Sequence, residues 1–200
     1  MIINDKRVLG LQLPTDPRWV NLAEESIEDI LTDHAYCEQK AASSAISIII
    51  KFPDYTEVVE KLTPLVTEEW GHFRMVLNEL HKRGLKFGRG RKDDYVNQLM
   101  KLIHKGMSRN DNLLDRLLIF AMIEARSAER LRLLSLQISD ESLRPFYHNL
   151  MVAEAGHYRL FLDLAATIAD EETVEKRWKD ILVKEAHIVA NLEVRGDRMH

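Results

Sequence analysis

Two Glu-x-x-His motifs are the residues whose types and spacing best suit chemistry in this sequence: Glu69 with His72, and Glu154 with His157. Residues three positions apart project from the same side of an α-helix, so each carboxylate and imidazole pair could bind one metal ion. Taken alone, such a short motif is more typical of a salt-bridged or solvated helix surface. The residues around the motifs therefore decide their interpretation.

The apolar pattern predicts that both motifs lie on buried helix faces. Each motif falls in a stripe of apolar residues spaced three and four apart, and two further glutamates, Glu38 and Glu124, interrupt similar stripes. Burying an ionised carboxylate without a partner costs several kcal/mol, and a folded domain has a net stability of only ~5–15 kcal/mol. Two divalent cations would balance the charge of four such carboxylates.

The order of these residues matches a known type of metal site. A glutamate from each of two helices, with Glu-x-x-His from each of two others, holds two iron or two manganese ions in a helical bundle. Carboxylate and imidazole ligands with open positions suit iron that must bind oxygen. We therefore predict a di-iron centre, with manganese as the alternative metal. The predicted ligands are Glu38, Glu69, His72, Glu124, Glu154 and His157.

Several polar residues near these positions receive other interpretations. His34 lies one helical turn before Glu38, where it could hydrogen-bond to the ligand; direct metal binding by His34 is the weaker alternative. Cys37 is expected to be a packing residue. Glu129, with arginines among its helical neighbours, is expected to be a surface acid paired with one of them, and Glu185 is expected to lie at the surface.

The sequence predicts that the candidate ligands lie on long helices. Helical periodicity dominates, no stretch alternates as a strand would, and glycines and prolines mark the breaks. The pattern predicts an all-α fold: one ferritin-like antiparallel four-helix bundle over residues 1–200, with additional flanking helices. The four long helices are predicted at about 17–50 (possible break near Asn21), 55–83, 110–137 and 141–169, and the shorter ones at about 93–105 and 171–194.

Composition places the chain among ordinary globular proteins. It has 200 residues, 46% of them hydrophobic and 30% charged, and a net charge of −4, which gives no overall basic field of the kind many nucleic-acid binders have. The single cysteine cannot form an intrachain disulfide and fits a reducing cytosol. No apolar run is long enough to span a membrane, and residues 1–10 make a poor signal peptide. A cytoplasmic location is expected.

Local basic groups could still contact nucleic acid. Arg126, Arg130 and Arg132 form one such group on the third long helix. A denser group follows the second long helix, in a connection that contains glycines. Its members are Lys82, Arg83, Lys86, Arg89, Arg91 and Lys92. A solvated helix end and loop is an equally good interpretation of this group.

Five segments of the sequence resemble the MiaE family of tRNA hydroxylases. They cover nearly the whole chain in the family's order, and DHAYCEQKAAS and IEARSAER are the most distinctive stretches. The segments are residues 33–47, 67–80, 113–134, 150–165 and 198–200.

This resemblance implies a non-haem di-iron monooxygenase that takes O2, with electrons from a separate donor protein. The implied reaction is hydroxylation of the isopentenyl group of 2-methylthio-isopentenyl-adenosine beside the anticodon in tRNA. The six predicted ligands match the metal-binding pattern of the family, position by position.

Two alternatives remain open from the sequence. One is a ferritin- or rubrerythrin-like iron-binding or peroxide-handling protein with no nucleic-acid substrate, although the chain lacks the Cys-x-x-Cys module of a rubrerythrin. The other is a metal-free helical scaffold. The sequence does not fix the oligomeric state.

Overall fold

The computed structural model describes residues 9–104 and 106–200, so the predictions for residues 1–8 and for Lys105 lie outside the described residues. All regular structure in those two ranges is helical, as predicted. The helices are α1 (Trp19–Glu24), α2 (Ile27–Lys51), α3 (Thr56–Lys82), α4 (Asp94–Met100), α5 (Arg109–Gln137), α6 (Leu143–Ile168) and α7 (Glu171–Asn191). None of them is long and apolar enough to cross a membrane.

Side-chain caps explain where several helices begin. The hydroxyl of Ser26 accepts a hydrogen bond from the backbone N–H of Asp29 (3.3 Å), so the first predicted helix breaks at residues 25–26 rather than near Asn21. Ser108 caps α5 in the same way, and Asp170 caps α7 through the N–H of Thr173 (2.9 Å). Such caps satisfy backbone donors that have no partner within the helix.

The α3 helix contains Pro64 and ends at a glycine, as the sequence predicts. Because α3 begins at Thr56, Pro64 lies inside the helix and is not part of its first turn. Gly84 has a φ of +68°, and its N–H donates to the carbonyl of His81 (3.0 Å). A left-handed residue after the last helical turn is the usual position for glycine at a helix C-terminus.

One compact unit comprises Arg18–Asp93 and Arg195–His200. In it α2 and α3 pack against each other, and their short connection, residues 52–55, makes them an antiparallel hairpin. The segment 195–200 belongs to the same unit: the indole N–H of Trp19 donates to the carbonyl of Arg198 (3.1 Å), and the N–H of Met199 donates to the buried Asp33 (2.8 Å). We call this the α2–α3 unit.

The second compact unit comprises, of the described residues, 9–17 and those between Asp94 and Val194, and we call it the α5–α6 unit. Its main packing is between α5 and α6, with α7 also against α5. The α4 helix ends at Met100, so it is shorter than the helix predicted at about 93–105. The core between α5 and α6 is built from the predicted apolar stripes, including Leu113, Leu117, Leu150 and Phe161.

Three expectations of surface exposure in this unit are wrong, although the expected pairing of Glu129 with an arginine is confirmed. Arg126 is completely buried and cannot belong to an exposed basic group, while Glu129 and Glu185 are buried acids and not surface groups. Arg126 binds both: Nη1 lies 2.5 Å from Oε2 of Glu129, and Nη2 lies 2.6 Å from Oε1 of Glu185. The buried phenol of Tyr95 also donates to Oε1 of Glu185 (3.0 Å). The reason is tertiary, because α7 brings Glu185 to α5.

Candidate metal centre

The α2–α3 unit brings together three of the predicted ligands. Glu38 comes from α2, Glu69 and His72 come from α3, and each offers a ligand atom within 4.8 Å of the others. Nδ1 of His72 lies 3.6 Å from Oε2 of Glu38 and 3.6 Å from Oε2 of Glu69. All three side chains are buried, and Glu38 is only 4% exposed. We call this group the α2–α3 half-site.

His34 lies directly behind Glu38 in this half-site. Its Nε2 is 2.7 Å from Oε1 of Glu38, which is the contact that the expected supporting role requires. Burial raises the pKa of Glu38, but the interactions with His34 and His72 outweigh it, so the pKa lies well below its ordinary value. Glu38 is therefore an ionised carboxylate at neutral pH, ready to bind a cation.

The α5–α6 unit brings together the other three predicted ligands. Glu124 comes from α5, Glu154 and His157 come from α6, and their ligand atoms also lie within 4.8 Å of one another. Nδ1 of His157 is 3.8 Å from Oε1 of Glu154. These side chains are buried too, with Glu124 5% exposed. We call this group the α5–α6 half-site.

The donor atoms of both half-sites fit iron or manganese. Each half-site offers two carboxylates and one imidazole, hard and intermediate donors that suit these ions. Four buried glutamates in one chain also need positive charge nearby, because burying an unbalanced carboxylate is costly. The side chains present could therefore hold two divalent metal ions.

A third group of possible ligands has a simpler structural role. Nδ1 of His200 lies 3.8 Å from Sγ of Cys37 and 3.5 Å from Oδ2 of Asp93, within the α2–α3 unit. Lys40 already supplies a positive charge to Asp93, at 3.9 Å. The contacts tie the end of the chain to α2, so Cys37 has a polar neighbour as well as a packing role. Burial raises the pKa of the Cys37 thiol far above its ordinary value, so the neutral form is favoured.

Three members of the predicted basic group after α3 form ion pairs with nearby carboxylates. Lys82 and Arg83 both form ion pairs with Glu79, and Arg91 pairs with Asp29 and Asp197. The remaining members, Lys86, Arg89 and Lys92, have exposed side chains.

The buried ion network around Arg126 was not found from the sequence. Burial lowers the pKa of Arg126, but the interactions with Tyr95, Glu185 and Glu129 outweigh it, so the pKa is raised and the guanidinium stays charged. A signal existed in Glu185, which falls at a helical spacing from the apolar Ile181 and Leu182 on α7.

Pairs of long helices with buried Glu and Glu-x-x-His side chains are the defining feature of ferritin-like proteins that bind metals through carboxylates. A solved structure supports this class: the chain aligns with "Protein 43 with aldehyde deformylating oxygenase activity from Synechococcus" at a TM-score of 0.89. The two are 32% identical, and the alignment covers 95% of this chain and 94% of that one. The fold is therefore all-α and ferritin-like.

A family model described as tRNA-(MS[2]IO[6]A)-hydroxylase (MiaE) matches residues 2–200, so the chain belongs to the MiaE family. Two curated relatives carry the name tRNA 2-(methylsulfanyl)-N(6)-isopentenyladenosine(37) hydroxylase. The Pseudomonas putida protein is 35% identical over 168 residues, covering 83% of this chain and 80% of its own length. The Salmonella typhimurium protein is 26% identical over 213 residues, covering 81% and 77%. The predicted family is thereby confirmed, and with it the class of oxidoreductase.

Proposed function

We propose that this protein is an O2-dependent di-iron hydroxylase that adds a hydroxyl group to the isopentenyl chain of 2-methylthio-isopentenyl-adenosine beside the anticodon of tRNA. The observation that carries the proposal is the pair of buried half-sites, each with one glutamate and one Glu-x-x-His, in a member of the MiaE family. Because each half-site holds half of the ligand set, we treat residues 1–200 as one functional domain. A tRNA substrate would place the enzyme in the cytoplasm.

The proposed reaction consumes O2, two electrons and two protons. One oxygen atom enters a C–H bond of the isopentenyl group, and the other leaves as water. Two bound iron ions would supply the activation of O2. The redox balance of the reaction requires a source of two electrons, and a separate donor protein would supply them.

The chain's own side chains hold and shield the metals. Glu38, Glu69 and His72 would bind on one hairpin, and the three ligands of the α5–α6 half-site on the other. His34 would orient Glu38 through its 2.7 Å contact. Burial of the ligands keeps bulk water away, which strengthens their interaction with the cations and limits side reactions.

The basic group after α3 would contact phosphates of the anticodon loop. We expect the exposed Lys86 and Arg89 to contribute most, because Lys82, Arg83 and Arg91 already face carboxylates. Neutralising phosphates releases counterions, so each Lys or Arg that makes such a contact steepens the salt dependence of binding. The Lys86→Ala/Arg89→Ala variant should bind tRNA more weakly and with a shallower salt dependence.

The direct test is to follow one oxygen atom into the nucleoside. Purified enzyme is loaded with iron under anaerobic conditions and given an electron donor, tRNA that carries the isopentenyl modification, and 18O2. Mass spectrometry of the nucleosides should reveal one labelled oxygen atom. The Glu69→Ala and Glu154→Ala variants should lose the product and part of the bound iron, while Glu68→Ala, an exposed neighbour, keeps both. Labelled product at the wild-type rate from Glu69→Ala would contradict the proposed ligands.

The same material distinguishes iron from manganese. Loading with each metal alone, followed by metal analysis and the 18O2 assay, should give turnover with iron only. Turnover with manganese alone would mean that manganese, the alternative metal, supports the reaction.

A second candidate activity is favoured by the Synechococcus protein, whose name describes aldehyde deformylating oxygenase activity. A protein that is 32% identical over nearly the whole chain could share a substrate type with this one. Incubating the iron-loaded enzyme with a long-chain aldehyde and measuring hydrocarbon would test it. Iron binding with neither tRNA nor aldehyde product would instead favour the ferritin- or rubrerythrin-like alternative, with peroxide consumption as its assay.

A further inference from the structure

A row of four aromatic rings crosses one face of the α2–α3 unit. Tyr36 of α2 stacks on Phe87, which follows α3, with 4.6 Å between ring centroids and 28° between planes. Phe87 meets Phe73 edge-on at 5.9 Å, and Phe73 meets Trp70 at 4.8 Å. The row therefore joins helices α2 and α3 to the basic connection after α3. We call it the aromatic row.

The aromatic row ends at an exposed tryptophan. Trp70 is 47% exposed, whereas Phe73 beneath it is 8% exposed, so Phe73 supports one side of Trp70 while the indole keeps surface open to solvent. Tyr36 and Phe87 are half-buried. A large exposed ring backed by buried rings is a ready surface for a flat apolar partner.

The connection that carries Phe87 is held in place by α2. The N–H of Lys86 donates to Oε1 of Glu28 (3.1 Å), and the hydroxyl of Tyr36 donates to the carbonyl of Gly88 (3.1 Å). A Cβ on Gly90 would lie only 3.0 Å from the Tyr36 ring, so glycine permits the backbone to pass this close. Binding at the aromatic row would therefore cost little ordering of the connection.

Positive side chains flank the aromatic row. Lys86 and Arg89 are exposed on the connection beside Phe87. Arg74 is exposed on α3 one turn after Trp70, and residues four apart share a helix face. Proteins bind single-stranded nucleic acid by combining aromatic rings, which stack on the bases, with positive side chains, which contact the phosphates.

We propose that the aromatic row is a stacking platform for unpaired bases of an RNA loop, with Trp70 as the ring that receives a base. The identification of that loop as a tRNA anticodon loop rests on the proposed function. The chemistry of the surface selects the class of ligand: single-stranded RNA, whose bases are free to stack, and not a duplex, whose bases are already stacked. The unmodified bases beside the target adenosine would occupy the platform.

The test compares two substitutions on the same helix. Met75 is 42% exposed on α3 like Trp70, but it lies five residues further on and so faces another direction. Fluorescence anisotropy would measure the affinity of each variant for an unmodified anticodon stem-loop RNA and for a blunt RNA duplex of equal length. Stacking of one base on an aromatic ring corresponds to about 1–3 kcal/mol, so Trp70→Ala should bind the stem-loop about 5- to 150-fold more weakly.

The controls separate stacking from a general loss of structure. Trp70→Phe should restore most of the stem-loop affinity, Met75→Ala should bind as the wild type does, and duplex affinity should be unchanged in all three. Because Trp70 adjoins Glu69, the iron content of each variant should equal that of the wild type. Wild-type stem-loop affinity in Trp70→Ala, an equal loss for the duplex, or a wild-type protein that does not bind the stem-loop would each overturn the proposal.

Different results would contradict the stacking platform and the proposed hydroxylase function. If Trp70 governs stem-loop binding but no labelled oxygen enters the nucleoside, the platform stands and the hydroxylase proposal falls. If Trp70→Ala hydroxylates tRNA with the wild-type KM, the platform falls and the hydroxylase proposal stands.

Discussion

The two hairpins that carry the proposed ligands have the same sequence pattern in different surroundings. Both contain Glu-x-Gly-His, with Trp70 at the variable position of the α2–α3 hairpin and Ala155 at that of the α5–α6 hairpin. In the α2–α3 unit the ligands lie beside an exposed aromatic and basic surface, and His34 supports Glu38.

In the α5–α6 unit, by contrast, buried polar contacts attach other segments to the helix that carries Glu124. Arg126 lies two residues after the ligand Glu124 and binds Glu185 of α7, and the backbone N–H and the hydroxyl of Thr15 both donate to Glu129 (2.9 and 2.6 Å). Two other segments of the unit are thus attached to the helix that carries Glu124. From this comparison we propose a division of labour, in which the α2–α3 hairpin meets the substrate and the α5–α6 hairpin holds its proposed ligands rigidly.

The strongest test of this division removes the cation at the centre of these buried contacts in the α5–α6 unit. Arg126→Met should lower the free energy of unfolding by about 3–5 kcal/mol, because breaking a buried ion pair leaves uncompensated charge on Glu129 and Glu185. Urea unfolding, followed by circular dichroism, measures the change. Arg130→Met, at a partly exposed arginine one turn further along α5, should cost less than about 1 kcal/mol.

Two outcomes decide the interpretation of Arg126. If Arg126→Met does not fold, the variant that also carries Glu129→Gln and Glu185→Gln should recover folding, because the buried charges are gone. Equal stability of Arg126→Met and Arg130→Met would mean that the network does not reinforce α5.

The next test acts on the support of the other half-site. His34→Ala should weaken metal binding about 10- to 100-fold, the usual effect of losing a hydrogen-bond partner of a ligand. Because His34 contacts the proposed ligand Glu38 at 2.7 Å, we expect weaker binding of the metal ion that Glu38 holds. Competition with a chelator during metal titration measures the affinity. His81→Ala, an exposed histidine at the end of α3, serves as control, and wild-type affinities in His34→Ala would refute the supporting role.

The burial of the proposed ligands could be predicted because the apolar stripes repeat locally. Glu38 and Glu124 interrupt stripes set by the helical period, and that period depends only on near neighbours in the chain. The end of α3 followed from a local signal too, the glycine at position 84.

The network around Arg126 could not be predicted from the same kind of signal. On α5 alone, Arg126, Arg130 and Arg132 look like a basic surface. The approach of α7, which supplies Glu185, and of the segment that contains Leu13 and Thr15 changes the environment of Arg126 from solvent to core. The aromatic row depends likewise on contacts between Tyr36 and a connection far away in the chain. Both features arise from tertiary contacts with no local period.

The smallest expected effects come from the glycines that precede His72 and His157. A Cβ at Gly71 or at Gly156 would meet no atom of the described residues within 4 Å. Glycine inside a helix is less favourable than alanine by about 0.5–1 kcal/mol. Gly71→Ala and Gly156→Ala should therefore each stabilise the apoprotein by about this amount in urea unfolding.

RNA affinity should separate the two glycines. If the α2–α3 hairpin is the one that meets the substrate, a methyl group beside Trp70 occupies space that an approaching RNA chain needs, so Gly71→Ala should bind the anticodon stem-loop more weakly. Gly156→Ala should gain stability at no loss of RNA affinity, because its hairpin has alanine in place of the tryptophan. Equal RNA affinity of the two variants would remove the functional difference between the hairpins, and a reversed order would assign the substrate-facing role to the α5–α6 unit.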